Sequence, residues 1–333
     1  MTWNNGNENN EQKKIAIFYE HPEWFIPLFA ELERRGVFYD ALPANAHQYD
    51  PTERQSPYAL VVNRMSPSAH ARGHAHAIFY TLQYMAHLEQ IGANVLNGFD
   101  AYLYEFSKAR QLGLLQRLGV RYPKARVFNH PSQAVSAAEG LEYPVIVKPN
   151  VGGSGAGIRA FNSREALETA VAANDIDLGL DGVGLLQEYL PARGNSIMRV
   201  EILNGEYLYA IRLHLQLENS FNLCPADYCD LPQNQQANGV SGSRLLVEGY
   251  TPPQNVIDTV KRITAAAHIE VGGVEYLIND RNGQIYYYDV NALSNFVADA
   301  PNVVGFDPFP RLVDFLLQRA GISHRDLILS PAM

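Results

Sequence analysis

The sequence predicts a mixed α/β protein in two parts: an N-terminal unit on a small parallel sheet, then a larger unit of α/β and α+β character built on hairpins. Three observations carry this. Strand-like apolar runs alternate with helix-spaced segments from Lys14 to Leu96. A glycine-rich hairpin occupies residues 143–161, YPVIVKPNVGGSGAGIRAF. Two further strand pairs are closed by turn chemistry, at Asn204-Gly205 and over Asn279–Gly283. The expected divisions are a flexible tail over 1–13, an N-terminal α/β domain over 14–105, a larger domain over 106–320 and a C-terminal tail over 321–333.

In chain order, Lys14–Tyr19 (KIAIFY) reads as the first strand. Phe25, Leu28, Phe29 and Leu32 then recur at helical spacing, and Gly36 stops that helix. Val37–Asp40 and Tyr58–Asn63 are further strands, followed by a helix over about Ala75–Gly92 and a short strand at Asn94–Leu96. In such sheets ligands gather beyond the carboxyl ends of the strands. Arg64 sits at one of those ends and is a candidate clamp for a substrate carboxylate, a surface arginine being the alternative. His70, His74 and His76 have no acidic neighbour to complete a metal site, and a solvated helix start accounts for them better. Asp100–Gly119 reads as one helix with Lys108 in its middle, and Ser132–Ala138 as another.

The glycine stretch has its own logic. Val145, Ile146 and Val147 deliver Lys148 to a strand end, and glycines follow at 152, 153, 155 and 157 around Ser154. Without Cβ atoms, consecutive N–H groups of such a loop can turn toward one anion, and a neighbouring lysine adds a point charge for phosphate. A Walker loop needs its lysine after the glycines, at the start of a helix. A dinucleotide fingerprint also needs a helix next, yet Gly157–Phe161 reads as a second strand. Strand, loop, strand is a hairpin whose tip can close over phosphates.

Beyond it, Ser163 caps a helix over Ser163–Ala173, and Gly184–Glu188 is a strand running into Gln187-Glu188-Tyr189-Leu190. Ser196–Leu203 and Glu206–His214 form one hairpin. Residues 216–250 are long and polar, which suits a lid or disorder. Val256, Val260, Ile263 and Ala267 mark a helix, and Val271–Ile278 pairs with Gln284–Val290. With Arg281-Asn282-Gly283 as a three-residue loop and Gly283 left-handed, Glu275 falls opposite Asp289. Asn291, two residues on, shares the face of Asp289. Two carboxylates and an amide oxygen are hard ligands suited to magnesium. Facing carboxylates without a cation repel, which argues against a purely structural role; a solvated acidic edge is the alternative to a metal site.

Composition narrows the classes. With 47% hydrophobic and 18% charged residues the chain is an ordinary globular sequence, and its net charge of −9 argues against nonspecific nucleic-acid binding. Cys224 and Cys229 cannot build a disulfide framework or a zinc site unaided. No run approaches a membrane span and the start lacks the apolar core of a signal peptide, so a cytoplasmic protein is expected.

Taken in order, Lys108, Lys148 with GGSGAG, the QEYL segment, Arg199-Val200, Ala210-Ile211-Arg212, Glu275 and Asp289-Val290-Asn291 resemble the ATP-grasp superfamily of carboxylate–amine ligases over roughly residues 100–318. The glutamate-ligase and lysine-biosynthesis type is the nearest in pattern. The resemblance implies an ATP-grasp fold of two subdomains hinged near 187–190, preceded by a Rossmann-like domain. It implies that Lys108, Lys148, Gly152, Gly153, Ser154 and Gly155 contact ATP phosphates, and that Gln187, Glu188, Tyr189 and Leu190 clasp adenine through the backbone of Glu188 and Leu190. Glu275, Asp289 and Asn291 would hold two Mg²⁺ ions, with Mn²⁺ as a substitute. Arg212, with Arg199, would stabilise the transferring phosphoryl group, and Asn222 would lie nearby. The implied partners are amino acid or peptide substrates, with neither nucleic acid nor membrane, and homo-oligomerisation is left open. Two positions depart from the pattern: Ile197 stands where an acidic residue is common, and Gly273 where D-alanine–D-alanine ligases carry an arginine.

The implied reaction is amide formation through an acyl phosphate, with ADP and phosphate released. The alternative is a nucleotide-binding regulatory protein that keeps the fold without turnover, under which Asp289 and Asn291 would be free to drift. A nicotinamide oxidoreductase ranks last, because no G-x-G-x-x-G follows the first strand.

Overall fold

The computed structural model describes residues 14–153, 155–215 and 246–323. Among these residues three sheets form. The first opens the chain: β1 (Ile15–Tyr19), α1 (Ile26–Arg34), β2 (Tyr39–Pro43), β3 (Leu60–Arg64), α2 (Ala75–Gln90) and β4 (Val95–Leu96). Its strands run in the order β2-β1-β3-β4, all parallel. The unbroken apolar runs of β1 and β3 follow from coverage on both faces. Ile15, Ile17, Leu60 and Val62 pack in one core with Leu28 and Leu32 of α1, while Ala16, Phe18 and Val61 pack in another with Ile78 and Met85 of α2.

The helix expected over 100–119 is two helices, α3 (Phe99–Phe106) and α4 (Lys108–Arg117). Ser107 breaks it by taking an extended conformation, φ −132° and ψ 112°, and its hydroxyl accepts the Arg110 N–H as the cap of α4. Lys108 therefore opens a helix rather than standing in the middle of one.

The second sheet comprises β5 (Ala125–Phe128), β6 (Val145–Pro149), β7 (Arg159–Phe161) and β8 (Gly184–Glu188), ordered β5-β8-β6-β7 and antiparallel throughout. Its outer face carries α5 (Ala134–Ala137) and α6 (Arg164–Ala172), sealed by Val145, Val147, Leu167 and Leu186. The third sheet comprises β9 (Ser196–Leu203), β10 (Glu206–His214), β11 (Leu246–Tyr250), β12 (Val271–Ile278) and β13 (Ile285–Asn291), ordered β11-β10-β9-β12-β13 and also antiparallel. The strand β11 falls inside the stretch expected to be irregular; residues 216–245 lie outside the described residues.

Alternation gives the third sheet two different faces. Met198, Val200, Ile202, Val274 and Tyr276 bury against α7 (Gln254–Ala266) and α4. Ile197, Ile211, Leu213 and Leu277 look the other way, into the core shared with the first sheet, α8 (Ala300–Val304) and α9 (Phe309–Ala320). That second face floors the cleft described next. No helix among the described residues is long and apolar enough to cross a membrane.

Candidate active site

Strand β6 carries Lys148 into the interior, where it is 5% exposed. Burial, and then the charge of Lys108, push its pKa down to about 8, against the opposing pull of Asp289 and Glu275. Pro149 follows, and two glycines are required by it rather than by any ligand. A Cβ at Gly157 or Gly179 would stand 2.8 or 2.7 Å from Pro149, and both residues have φ of +75°. Asn150 then ties the base of the hairpin to the helix break. Its Oδ1 accepts the Ser107 hydroxyl (3.0 Å) and the Ala109 N–H (2.8 Å), and its Nδ2 donates to Asp181 (2.7 Å). This places Lys108 Nζ 3.0 Å from the Gly152 carbonyl. Sequence reading passed over Asn150, whose only local signal is its place after Lys148-Pro149.

The acidic residues meet by a route the sequence did not show. Glu275 does pair with Asp289, but the loop is longer than expected, with the Asn279 N–H donating to the Gln284 carbonyl at 2.9 Å. That register would have set Glu275 opposite Tyr288. A one-residue bulge between the pairs Tyr276–Tyr287 and Glu275–Asp289 restores the match. Tyr287 and Val290 consequently face the α7 core, while Tyr288, Asp289 and Asn291 all line the cleft. Burial first, and Asp289 second, push the pKa of Glu275 up to about 7.

Arg199 lies across this group. Its Nε donates to Glu201 (2.6 Å) and its Nη1 to Glu275 (3.3 Å). A Cβ on Gly273 would come within 2.9 Å of Arg199 Nε and of both Glu201 oxygens. Arg199, from the neighbouring strand, thus fills the space above the position where the dipeptide-ligase pattern has an arginine.

These residues surround one cleft of about 530 Å³ between the second and third sheets. It brings together Lys108, Lys148, Gly152, Gly153, Gly155, Gln187, Glu188, Tyr189, Leu190, Arg199, Glu275, Asp289 and Asn291. Ser154 and Asn222 lie outside the described residues. Two expectations are corrected. Arg212 does not line the cleft: Ile211 is the residue paired with Arg199, so strand alternation turns Arg212 to the opposite face. There it donates to Glu248 (2.8 Å) and lies 4.7 Å from the Tyr250 ring. Arg64 is buried behind the cleft wall rather than lining it, 5.6 Å from the Phe25 ring, and burial lowers its pKa to about 10. The Glu188 N–H, moreover, is engaged by the Lys124 carbonyl at 2.9 Å.

The cleft also holds residues not singled out from sequence. Trp24, Ser66 and Ser68 reach it from the first sheet, and a Cβ on Gly153 would stand 3.0 Å from that of Ser68. The glycine hairpin is therefore seated on the segment after β3. Glu105, at the end of α3, borders the same space with its pKa raised to about 7, chiefly by burial. Gln187 Oε1 and Asn291 Nδ2 are buried and lack a hydrogen-bond partner among the described residues.

The donor chemistry fits magnesium. Glu275 and Asp289 face each other with their charge only partly offset, by Arg199 at 3.3 Å and Lys108 at 3.9 Å. Among the described residues no cluster of three His, Cys, Asp or Glu side chains could hold a metal by itself. A cation here would complete its shell with the Asn291 amide, phosphate oxygens and water, the usual habit of magnesium.

Residues 106–221 match the RimK-like ATP-grasp domain family. The D-alanine–D-alanine ligase A of Bradyrhizobium diazoefficiens is 28% identical over 210 residues, covering 59% of this chain and 52% of that protein. The D-alanine–D-alanine ligase of Pseudomonas putida is 25% identical over 234 residues, 70% of this chain and 65% of the relative. The chain thus spans about half the length of the Bradyrhizobium protein and somewhat more of the Pseudomonas one. Among solved structures, the D-cycloserine synthetase DcsG superposes with a TM-score of 0.67 at 15% identity, covering 92% of this chain and 99% of that one. The ATP-grasp ligase PsnB, complexed with a minimal precursor, gives 0.64 at 17% identity over 92% and 99%. The protein has the ATP-grasp fold, and its residues 106–221 are similar to the RimK-like ATP-grasp domain.

Proposed function

We propose that the protein is an ATP-dependent ligase joining the carboxylate of an amino acid or peptide to an amine, through an acyl phosphate, with ADP and phosphate as products. One observation carries the reading: Lys108, Lys148, the glycine hairpin, Arg199 and the facing Glu275 and Asp289 converge on a single cleft. Phosphoryl transfer needs positioning and charge neutralisation more than a base, and these side chains supply both. Glu275, Asp289 and Asn291 would hold magnesium, which when bound would neutralise charge developing on the transferred phosphoryl group.

In this reading Lys108 and Lys148 hold the phosphates from two sides, and the hairpin closes above them against Ser68. Gln187, whose Oε1 lacks a partner among the described residues, accepts an N–H from the adenine edge. Of the two arginines to which the family resemblance gave the charge-stabilising role, Arg199 keeps it and Arg212 does not, because only Arg199 faces the metal carboxylates. The carboxylate substrate enters from the side of Trp24, Ser66 and Glu105. Relatives that make D-alanyl-D-alanine or D-cycloserine, or that bind a precursor peptide, support substrates of the amino acid or peptide class.

The test is ADP release with Mg-ATP across amino acids and small carboxylates, using hydroxylamine as a generic amine to trap the acyl phosphate. ADP and phosphate in equal amounts, together with a hydroxamate, are expected. AMP as the stoichiometric product would overturn the reading, and nucleotide binding with no turnover on any carboxylate would favour a regulatory protein.

A further inference from the structure

In the third sheet β13 is an edge strand: one side pairs with β12, and no strand among the described residues covers the other. Buried edge groups must find partners elsewhere. Here side chains of α3 and α4 provide them. The Val290 N–H donates to Gln111 Oε1 (3.1 Å), and Gln111 Nε2 donates to the Val290 carbonyl (2.8 Å) and to the Tyr104 carbonyl (2.8 Å). Glu105 Oε2 accepts the N–H groups of Ala292 (2.6 Å) and Leu293 (3.0 Å). A primary amide presents the same carbonyl and N–H as a peptide group. Gln111, 3% exposed, therefore makes with Val290 both bonds that a neighbouring strand residue would make.

The location matters. Val290 lies between Asp289 and Asn291, and Gln111 is one helical turn beyond Lys108 on α4. The same side chain thus fixes the strand that carries two candidate metal ligands against the helix that carries a phosphate lysine. Although Gln111 borders the cleft, its oxygen and both its N–H groups are turned to backbone.

We propose that Gln111 is a positioning residue whose amide substitutes for a missing strand and sets Asp289 and Asn291 relative to Lys108, at the observed Lys108–Asp289 separation of 3.9 Å. The inference rests on reading Glu275, Asp289 and Asn291 as a magnesium site. Gln111→Met keeps the length of the side chain and removes the amide. Gln111→Glu keeps the acceptor for the Val290 N–H but sets an oxygen against the Val290 carbonyl, and it serves as the second variant should the first not fold.

The experiment measures two quantities in the full chain: hydrogen exchange at the Val290 amide, and Mn²⁺ binding in the presence of ADP by electron paramagnetic resonance titration. In the variant, Val290 should lose at least about tenfold protection while Val274 on β12 keeps its own. The Mn²⁺ dissociation constant should rise about 10- to 100-fold, the range found for residues that orient metal ligands. ADP binding without metal should change less than about threefold. Unchanged Val290 protection would remove the clamp. Lost protection with unchanged Mn²⁺ affinity would make Gln111 a structural residue and overturn the proposal. A wild-type protein that binds no Mn²⁺ with ADP would refute the metal reading instead, and this inference would fall with it.

Discussion

Lys148 shows how burial and function are coupled at a single side chain. Its pKa of about 8 means that the free protein begins to lose this charge just above neutral pH. A bound phosphate favours the charged form and raises that pKa. Nucleotide affinity should then be full well below pH 8 and decline as pH rises through it, with proton uptake on binding around and above that pH. Calorimetry in buffers of different ionisation enthalpy measures that uptake; Lys148→Arg, which stays charged, should abolish it. The two arginines offer a second comparison at this scale. Arg199→Ala should slow turnover about 100-fold or more, as loss of a preorganised charge-stabilising donor does. Arg212→Ala should change it less than about threefold, since Arg212 points to Glu248 on the other face. Equal losses in the two variants would restore the family-based assignment. Asp289→Asn removes one of two facing carboxylates and should cut turnover by at least about 100-fold in a folded protein; near-normal ADP release would dismiss Asp289 as a metal ligand.

At the scale of elements, the base of the glycine hairpin is held by packing that has nothing to do with phosphate. Gly157→Ala would force a side chain into a left-handed conformation and against Pro149. A cost of about 1–2 kcal/mol is expected from the backbone, with the contact adding to it. Thermal unfolding would register the loss, and the Michaelis constant for ATP should rise with it because the tip hangs from this base. Asn150→Ala separates the two roles of the hairpin. It removes the acceptor for Ser107 and Ala109, so Lys108 should lose its fixed position and nucleotide binding should weaken about tenfold, the scale of one charge-assisted contact. The bulge at Tyr288 belongs here too: deletion of that residue would leave Asp289 next after Tyr287 and still opposite Glu275, and would remove only the extra residue of the strand.

For the molecule as a whole, the cleft is walled by all three sheets, so nucleotide should stabilise the fold as a unit. Mg-ATP at 100 times its dissociation constant should add about 2.7 kcal/mol to the stability of a two-state folded form. Calorimetric scans with and without Mg-ATP give the shift directly. Limited proteolysis adds the local view: the glycine hairpin, seated on Ser68, should be protected by nucleotide. Identical cleavage patterns in both states would count against closure of the hairpin.

Local chemistry made much of this legible from residues in order. Asn204-Gly205 can only be a tight turn, and the strands on either side of it, Ser196–Leu203 and Glu206–His214, have the bounds expected of them. The lysines, the glycine loop and the acidic strand were readable because each needs a residue type that few other roles explain. Where the structure differed, the deciding interaction came from a distant part of the chain. Ser107 breaks a helix that propensity would continue, with Asn150 bonded to its hydroxyl across the fold. Arg199 and Arg212 looked equivalent until strand register put them on opposite faces of one sheet. The Glu275–Asp289 pair depended on a bulge that no residue in the strand announces. Period, turn type and charge are properties of neighbours in sequence, whereas register and edge pairing arise only when separate segments meet, and in this protein those meetings form the walls of the cleft.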